Sequence, residues 1–250
     1  MTNGMVSGRA RLAMALTVVA TLCAPAAASA QIRQVSSSSD GKQAVNFTIG
    51  YFALKGFDSR SDDDVLLAEV QNAQPLLFEM KDFNSAPVGA DYLFGVGSRF
   101  EVGIGLGYSQ RTVHSIYAHV THADNTEIEQ ELKLRQIPVT FTGRVLLLPR
   151  GSAVEPYVGA GIVAIRWRYS ETGEFVADNR DIFPARYVAE GTAVGPTVLA
   201  GVRAPVGNWS VGGEVRWQKA EGTKLLDEGF LTDKFDLGGW PTNFTFGVRF

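Results

Sequence analysis

The stretch from Asn243 to Phe250 reads Asn-Phe-Thr-Phe-Gly-Val-Arg-Phe, so polar or small side chains alternate with bulky apolar ones. A period of two residues is that of a β-strand whose two faces meet different surroundings. The same alternation runs through Glu101–Arg111, where glycine and charge share one face, and through Trp209–Trp217. The sequence therefore predicts an all-β fold whose strands have one polar and one apolar face.

Eight segments of the chain show this alternation, and the connections between them alternate between long and short. The segments are residues 45–54, 88–97, 100–117, 130–148, 154–170, 192–204, 209–220 and 241–250. The long connections are residues 55–87, 118–129, 171–191 and 221–240, and the short ones are 98–99, 149–153 and 205–208. An even strand number with short turns at one end is typical of barrels that span the bacterial outer membrane. We expect an eight-stranded antiparallel up-and-down transmembrane β-barrel with short periplasmic turns and long extracellular loops.

The apolar face is bulky and aromatic, whereas the polar face mixes glycine with Glu and Arg. An eight-stranded barrel is just wide enough inside for side chains to fill, so rings of Trp and Phe would overfill it. The reverse orientation would also point arginines at lipid, at roughly 2 to 4 kcal/mol each near the bilayer midplane. We therefore expect charge inside and aromatic side chains facing lipid. The alternative is a soluble lipocalin-like barrel, which would place the large apolar side chains inside.

Two sets of residues follow from this orientation. The predicted charge network of the lumen is Asp91, Glu101, Arg111, Arg144, Arg203, Glu214, Arg216 and Arg249, a set with an excess of basic groups. The predicted aromatic girdles at the two lipid-water interfaces are Tyr51, Tyr108, Tyr157, Trp167, Trp209, Trp217 and Trp240. Paired charges inside so narrow a barrel predict a plugged lumen, and any leak would favour anions.

The N-terminus has the pattern of a cleaved signal peptide over residues 1–30. Two arginines precede a short apolar stretch, and Ala28 and Ala30 offer small side chains for cleavage before Gln31. The domains expected after cleavage are a polar leader, 31–44, and the barrel, 45–250. The mature chain would contain 21 Lys and Arg and 26 Asp and Glu, a net charge of −5. This negative charge argues against nucleic acid as a partner.

With its terminal strand ending in aromatics at alternate positions, the chain resembles the small outer-membrane barrels of the OmpA, OmpX and OmpW type. The resemblance implies an outer-membrane location and a lipid environment. It also implies that the last strand is read by the barrel-assembly machinery, through a C-terminal signal formed by Phe244, Phe246, Val248 and Phe250.

The expected function is a structural or surface-interaction role, with loops 55–87 and 171–191 as contact surfaces for an extracellular ligand. The alternatives are a small channel or conduit for ions or apolar solutes and, third, a lipid-modifying enzyme. No enzyme activity is expected, because neighbouring strand residues such as His114 and Ser115 point to opposite faces. No cofactor or metal is expected either: solvated loop histidines are favoured over a zinc site at His114, His119 and His122, and a helix start over calcium binding at 62–64.

Overall fold

A computed structural model describes residues 42–177 and 179–250. Eight long strands form the fold, and we number them β1 to β8. They are β1 Gln43–Leu54, β2 Val88–Val96, β3 Phe100–Thr121, β4 Glu127–Leu146, β5 Glu155–Val176, β6 Ile182–Val206, β7 Trp209–Gln218 and β8 Gly239–Arg249. Strand β1 begins at Gln43, inside the predicted leader. The predicted signal peptide, with Ala28, Ala30 and Gln31, lies outside the described residues.

The eight strands close into a ring. Each strand pairs antiparallel with its neighbours in sequence, and β1 pairs with β8 from Ala44 opposite Arg249 to Leu54 opposite Gly239. The two ends of the described chain meet at this seam, where the Phe250 amide donates to the Gln43 carbonyl at 3.0 Å. Closure pairs each of the eight strands on both sides near the short turns, whereas farther along β3 and β6 pair mainly with one neighbour. The eight-stranded up-and-down barrel predicted from the sequence is confirmed.

The outer face of the barrel is divided into two zones, which β4 shows most clearly. Val139, Phe141 and Val145 are exposed apolar side chains on the outer face, and farther along the same face stand Lys133 and Arg135. We call the first zone, which runs from the short turns to the level of Val139, the apolar band. The second zone is the extension, which consists of residues 110–121, 127–135, 166–176 and 182–192.

The interior of the extension reverses the pattern of the band, because most of its inward side chains are apolar. The core comprises Val113, Leu132, Leu134, Ile165, Trp167 and Tyr169 of the strands, with Leu66, Phe83, Leu225, Phe230 and Phe235 of the connecting segments. The connections 55–87 and 219–238 therefore fold inward and close the wide end of the barrel. At this end of the molecule, the four strands form a sheet whose apolar inner face is covered by the connections.

Two of the predicted long loops are wrong. Residues 118–129 and 171–191 belong mostly to strands, so the connections left between β3 and β4 and between β5 and β6 are only residues 122–126 and 177–181. The predicted strands ended where polar residues occupy both faces of the alternation, as in Glu171, Thr172 and Glu174. The strands in fact continue beyond the apolar band, because the extension buries its inner face instead.

The first connection contains the short helix α1, Val65–Gln71, within the segment where the sequence predicts one. Asp64 caps its N-terminus by accepting hydrogen bonds from the Leu66 and Leu67 amides. The helix buries Val65, Leu66, Leu67 and Glu69 toward the core. No helix of residues 42–177 and 179–250 is long and apolar enough to cross a membrane.

Candidate functional site

The interior of the apolar band contains a layer of ion pairs centred on Arg203 of β6. Its guanidinium bonds both carboxylate oxygens of Glu101, at 2.5 and 2.9 Å, and Glu155 Oε2 at 2.7 Å. Arg249 reaches the same Glu155 from β8, at 2.5 and 3.1 Å. All four side chains are nearly removed from solvent. Charge-assisted, two-bonded contacts of this kind are the strong class of hydrogen bond.

A second group of ion pairs lies beside the first. Arg216 Nη2 is 2.8 Å from Asp91 Oδ2, and Arg216 Nε donates to Glu214. Arg144 Nη2 lies 3.4 Å from Asp91 and 3.3 Å from Glu214. The Tyr157 hydroxyl donates to Glu214 at 3.0 Å, and its ring lies under the guanidiniums of Arg144 and Arg203. Tyr157 thus connects the two groups, which together we call the ionic layer.

The ionic layer differs from the predicted charge network at three positions. Glu155, which sequence reasoning missed, is fully buried and pairs with two arginines. Arg111 is not in the layer: it is exposed and donates to the Asp82 carbonyl near the loops. Arg150, from the short turn between β4 and β5, was also missed and lies 3.4 Å from Glu101. The layer therefore contains four carboxylates and five guanidiniums, so the predicted basic excess is reduced to one group.

Glycines on the inner face give these large side chains their space. A Cβ on Gly105 would lie 2.0 Å from Asp91 Oδ1, and one on Gly201 would lie 2.5 Å from the Tyr157 ring. Such contacts are impossible without moving the strand or the side chain. Between the ionic layer and the apolar core a cavity of only about 60 Å³ remains.

Five of the seven predicted girdle residues lie on the outer face. Tyr51, Tyr108, Trp209 and Trp240 are exposed there, and Trp217 is half-buried. The prediction is wrong for Tyr157 and Trp167, because both are buried on the inner face, at 2% and 1% exposure. Tyr157 finds a polar partner in the ionic layer. Trp167 lies above the apolar band, where the inner face is the apolar one.

The terminal strand presents its alternate aromatics outward. Phe244, Phe246 and Phe250 are exposed, Val248 is half-buried, and the Phe246 ring stacks on Trp209 with centroids 5.0 Å apart. The opposite face buries Thr245 and carries Arg249 into the ionic layer.

A second set of buried ion pairs joins the two inward-folded connections. Arg60 bonds both carboxylate oxygens of Asp64, at 2.7 and 2.8 Å, and also donates to the Asp236 carbonyl at 2.9 Å. The Asp236 amide returns a hydrogen bond to Asp64 at 2.6 Å, and Lys55 pairs with the Asp236 carboxylate at 2.7 Å. Asp64 therefore has structural partners at both oxygens, besides its place at the predicted helix start.

A larger cavity, of about 240 Å³, lies at the loop end of the barrel. Glu69 of α1 and Glu171 of β5 both line it and both are buried. Burial raises the pKa of Glu69 to about 7. Burial, and then the nearby charge of Glu69, raise the pKa of Glu171 well above its usual range.

The other polar residues singled out in the sequence do not gather into one site. His114 is exposed on the outer face, while Ser115 is buried on the inner face and donates to the Leu77 carbonyl at 3.1 Å. His122 Nε2 lies 2.8 Å from Glu174, and His119 is exposed. Within residues 42–177 and 179–250, no group of three His, Cys, Asp or Glu side chains is placed to hold a metal ion.

No protein-family model matches the chain, and no curated protein matches it in sequence. Solved structures with a similar fold include outer membrane protein OprG from Pseudomonas aeruginosa, at 15% identity and a TM-score of 0.47, over 83% of this chain and 95% of that one. Neisserial surface protein A is 10% identical over 84% and 97% of the two chains, with a TM-score of 0.43. Outer Membrane Protein W of E. coli is 15% identical over 85% and 100%, with a TM-score of 0.37. These are likenesses of fold, and the barrel itself follows from the closed strand pairing of this chain.

Proposed function

We propose that the protein is an integral outer-membrane barrel whose lumen is closed and whose extension is a rigid surface outside the cell. The observation that carries this proposal is the opposition of the two faces within the apolar band. Outside are exposed aliphatic and aromatic side chains, including Phe47, Ile104, Leu106, Phe141, Ile162 and Phe244. Inside, four carboxylates pair with five guanidiniums. A barrel in water would not need apolar side chains outside and charges inside, whereas a barrel in lipid does.

The ionic layer supports a closed lumen. Its arginines and carboxylates bridge strands on opposite sides of the barrel, as Arg203 of β6 does with Glu101 of β3. Above the layer, the apolar core contributed by residues 55–87 and 219–238 fills the wide end. An ion crossing the barrel would have to displace side chains of both the ionic layer and the apolar core, because each is closely packed.

The extension supports the surface role. It continues four strands beyond the band, and its outward residues are hydrophilic, among them Arg135, Arg166, Arg168 and Glu190. The connections 55–87 and 219–238 complete this end and are pinned by the buried pair of Arg60 and Asp64. A partner outside the cell would therefore meet an ordered surface rather than mobile loops.

Single-channel recording in planar bilayers tests the closed lumen. We expect the wild-type protein to show no conductance steps, and Arg203→Ala, which empties the centre of the ionic layer, to show leak events. The matched control is Arg166→Ala, which removes an exposed ion pair of the extension and leaves the lumen as it is. Steady conductance of the wild type would refute the closed lumen and leave the membrane location standing.

A conduit for apolar solutes is the second candidate, and one observation favours it. The ladder between β3 and β4 is interrupted between the pairs Leu106–Val139 and Ser109–Gln136, at Pro138, which has no amide hydrogen to donate. The 60 Å³ cavity borders Pro138 at this gap. Uptake of an apolar fluorescent solute into vesicles, compared between the wild type and Pro138→Val, tests this role: faster uptake with the wild type would support it, and equal uptake would remove it.

A further inference from the structure

The cavity at the loop end, which we call the loop-end cavity, is enclosed by α1, β3, β5, β6 and the last connection. Glu69 and Gln74 come from the first connection, Tyr117 from β3, Glu171 and Phe175 from β5, and Tyr187 from β6. Exposed residues of the connections, Ala73, Gly229 and Leu231, form its rim. The cavity therefore opens at the end of the extension, far from the ionic layer. Ligand binding there does not depend on whether the lumen conducts ions.

Among the residues described, the cavity contains buried hydrogen-bond acceptors without a partner, and the nearby Tyr169 hydroxyl acts on the Glu171 carboxyl group. In the described part of the chain, Glu171 Oε1 and Gln74 Oε1 are buried and have no hydrogen-bond partner. Glu171 is only 3% exposed, and the second carboxylate, Glu69, is close enough to act on its charge. None of the described residues lining the cavity is Lys, Arg or His. A buried acceptor left unpaired costs free energy, which a ligand that donates hydrogen bonds would recover.

Aromatic rings form much of the remaining wall. Phe175 and Tyr187 meet edge to face with centroids 4.9 Å apart, and Tyr187 meets Phe230 in the same manner at 6.2 Å. The Tyr117 hydroxyl accepts from Gln130 Nε2 at 2.8 Å, which fixes that ring. Aromatic rings beside carboxylates attract an organic cation, because the negative face of each ring and the negative carboxylate charge both stabilise it.

We propose that the loop-end cavity binds an organic ammonium ion, with the ammonium group donating to Glu171 and Glu69 and the alkyl part against the aromatic rings. A cavity of about 240 Å³ accommodates a short alkyl amine or diamine. The two carboxylates favour a diamine, which carries two charges. A metal ion fits less well, because the remaining wall offers rings where a hard cation requires oxygen.

Ligand binding is coupled to protonation of the two carboxyl groups. Burial raises the pKa of both carboxyl groups, that of Glu69 to about 7, so without a cation both bind a proton more readily than exposed carboxyl groups do. The other titratable side chains around them are the hydroxyls of Tyr117, Tyr169 and Tyr187, and burial raises the pKa of the first two. An ammonium ion binds the ionised carboxylates, so affinity increases as pH rises. If Glu69 alone ionises between pH 6 and pH 8, the affinity for the ammonium ion increases about tenfold.

Isothermal titration calorimetry on the full barrel in a nonionic detergent tests the proposal, with 1,4-diaminobutane, butylammonium and calcium as probes. We expect saturable one-to-one binding of the diamine at pH 8, weaker binding of the monoamine, and about tenfold weaker binding of the diamine at pH 6. Glu171→Gln should abolish binding and Glu69→Gln should weaken it. Glu129→Gln, an exposed carboxylate on the outer face of the same extension, is the matched control and should bind as the wild type does.

Folding of the variants is checked by the change in gel mobility on boiling. The two cavity variants should keep that change, because each replaces a buried carboxyl group that has no basic partner in the cavity. Absence of saturable amine binding by the wild type, or equal binding by Glu171→Gln, would overturn the proposal. Binding of calcium in preference to both amines would also overturn it, because the ligand would then be a metal ion.

Discussion

Arg203 and Glu101 form a two-bonded ion pair across the barrel, with Nη1 2.9 Å from Oε2 and Nη2 2.5 Å from Oε1. They are 102 residues apart, on β6 and β3, which share no backbone ladder. The pair therefore crosses the lumen and holds opposite walls of the barrel together. This one contact cross-links two strands that no backbone hydrogen bond joins.

Arg203→Ala should destabilise the barrel by about 3 to 5 kcal/mol, because it leaves the carboxylates of Glu101 and Glu155 buried with fewer partners. Urea unfolding in lipid vesicles, followed by tryptophan fluorescence, measures the loss. Arg166→Ala, whose partner Glu190 is 2.8 Å away at the surface, should cost about 0 to 1 kcal/mol. Equal losses for the two variants would mean that the ionic layer contributes no more than a surface pair.

Leu106→Arg should destabilise the protein in lipid by roughly 2 to 4 kcal/mol, because Leu106 is exposed on the apolar band of β3. His114→Arg is the matched control, since it lies on the same face of the same strand but in the extension. It should change the free energy of unfolding little, because water surrounds it. A large loss of stability for His114→Arg and none for Leu106→Arg would mean that lipid surrounds the extension and not the apolar band.

Arg60→Ala should loosen the two inward-folded connections while leaving the barrel strands paired. Asp64 would lose its two-bonded partner and the Asp236 carbonyl its donor, all in a buried setting. We expect faster tryptic cleavage at Lys224 and Lys234, with the change in gel mobility on boiling retained. Lys81→Ala, which removes an exposed pair with Glu79, should leave the cleavage rate unchanged.

Phe250→Ala should reduce assembly into the outer membrane of cells and leave refolding in vitro nearly unaffected. The Phe250 backbone closes the seam with Gln43, and alanine keeps those hydrogen bonds. The ring is exposed and takes no part in these backbone bonds, so we expect its removal to act on assembly in the cell. Equal losses in cells and in vitro would show a structural role for the ring instead.

Alternation in the sequence was sufficient to predict the strands and their two faces inside the apolar band. In β8, Phe244 and Phe246 lie outside and Arg249 inside, as the pattern of that stretch indicates. Glu155 was missed because it stands at the start of a strand, beside the turn at Gly151, and interrupts an otherwise apolar stretch.

The extension could not be predicted in the same way. The alternation with a period of two residues continues along each strand, while the surroundings of the outer face change from lipid to water. Trp167 has the spacing of a girdle residue, yet it is buried between Phe235 and Gly222. Only the neighbouring outward residues Arg166 and Arg168 signal that the strand has left the lipid. Nothing in the sequence of residues 55–87 and 219–238 indicates that they fold inward, since that depends on the empty space above the ionic layer.

Quenching by lipids brominated along their acyl chains tests the central claim most directly, using variants that each retain one of Trp167, Trp209 and Trp240. Both Trp209 and Trp240 are about half exposed on the outer face, whereas Trp167 is buried in the core of the extension. We expect strong quenching of Trp209 and Trp240 and almost none of Trp167. Quenching of Trp167 without quenching of Trp209 and Trp240 would contradict an outer face solvated by lipid.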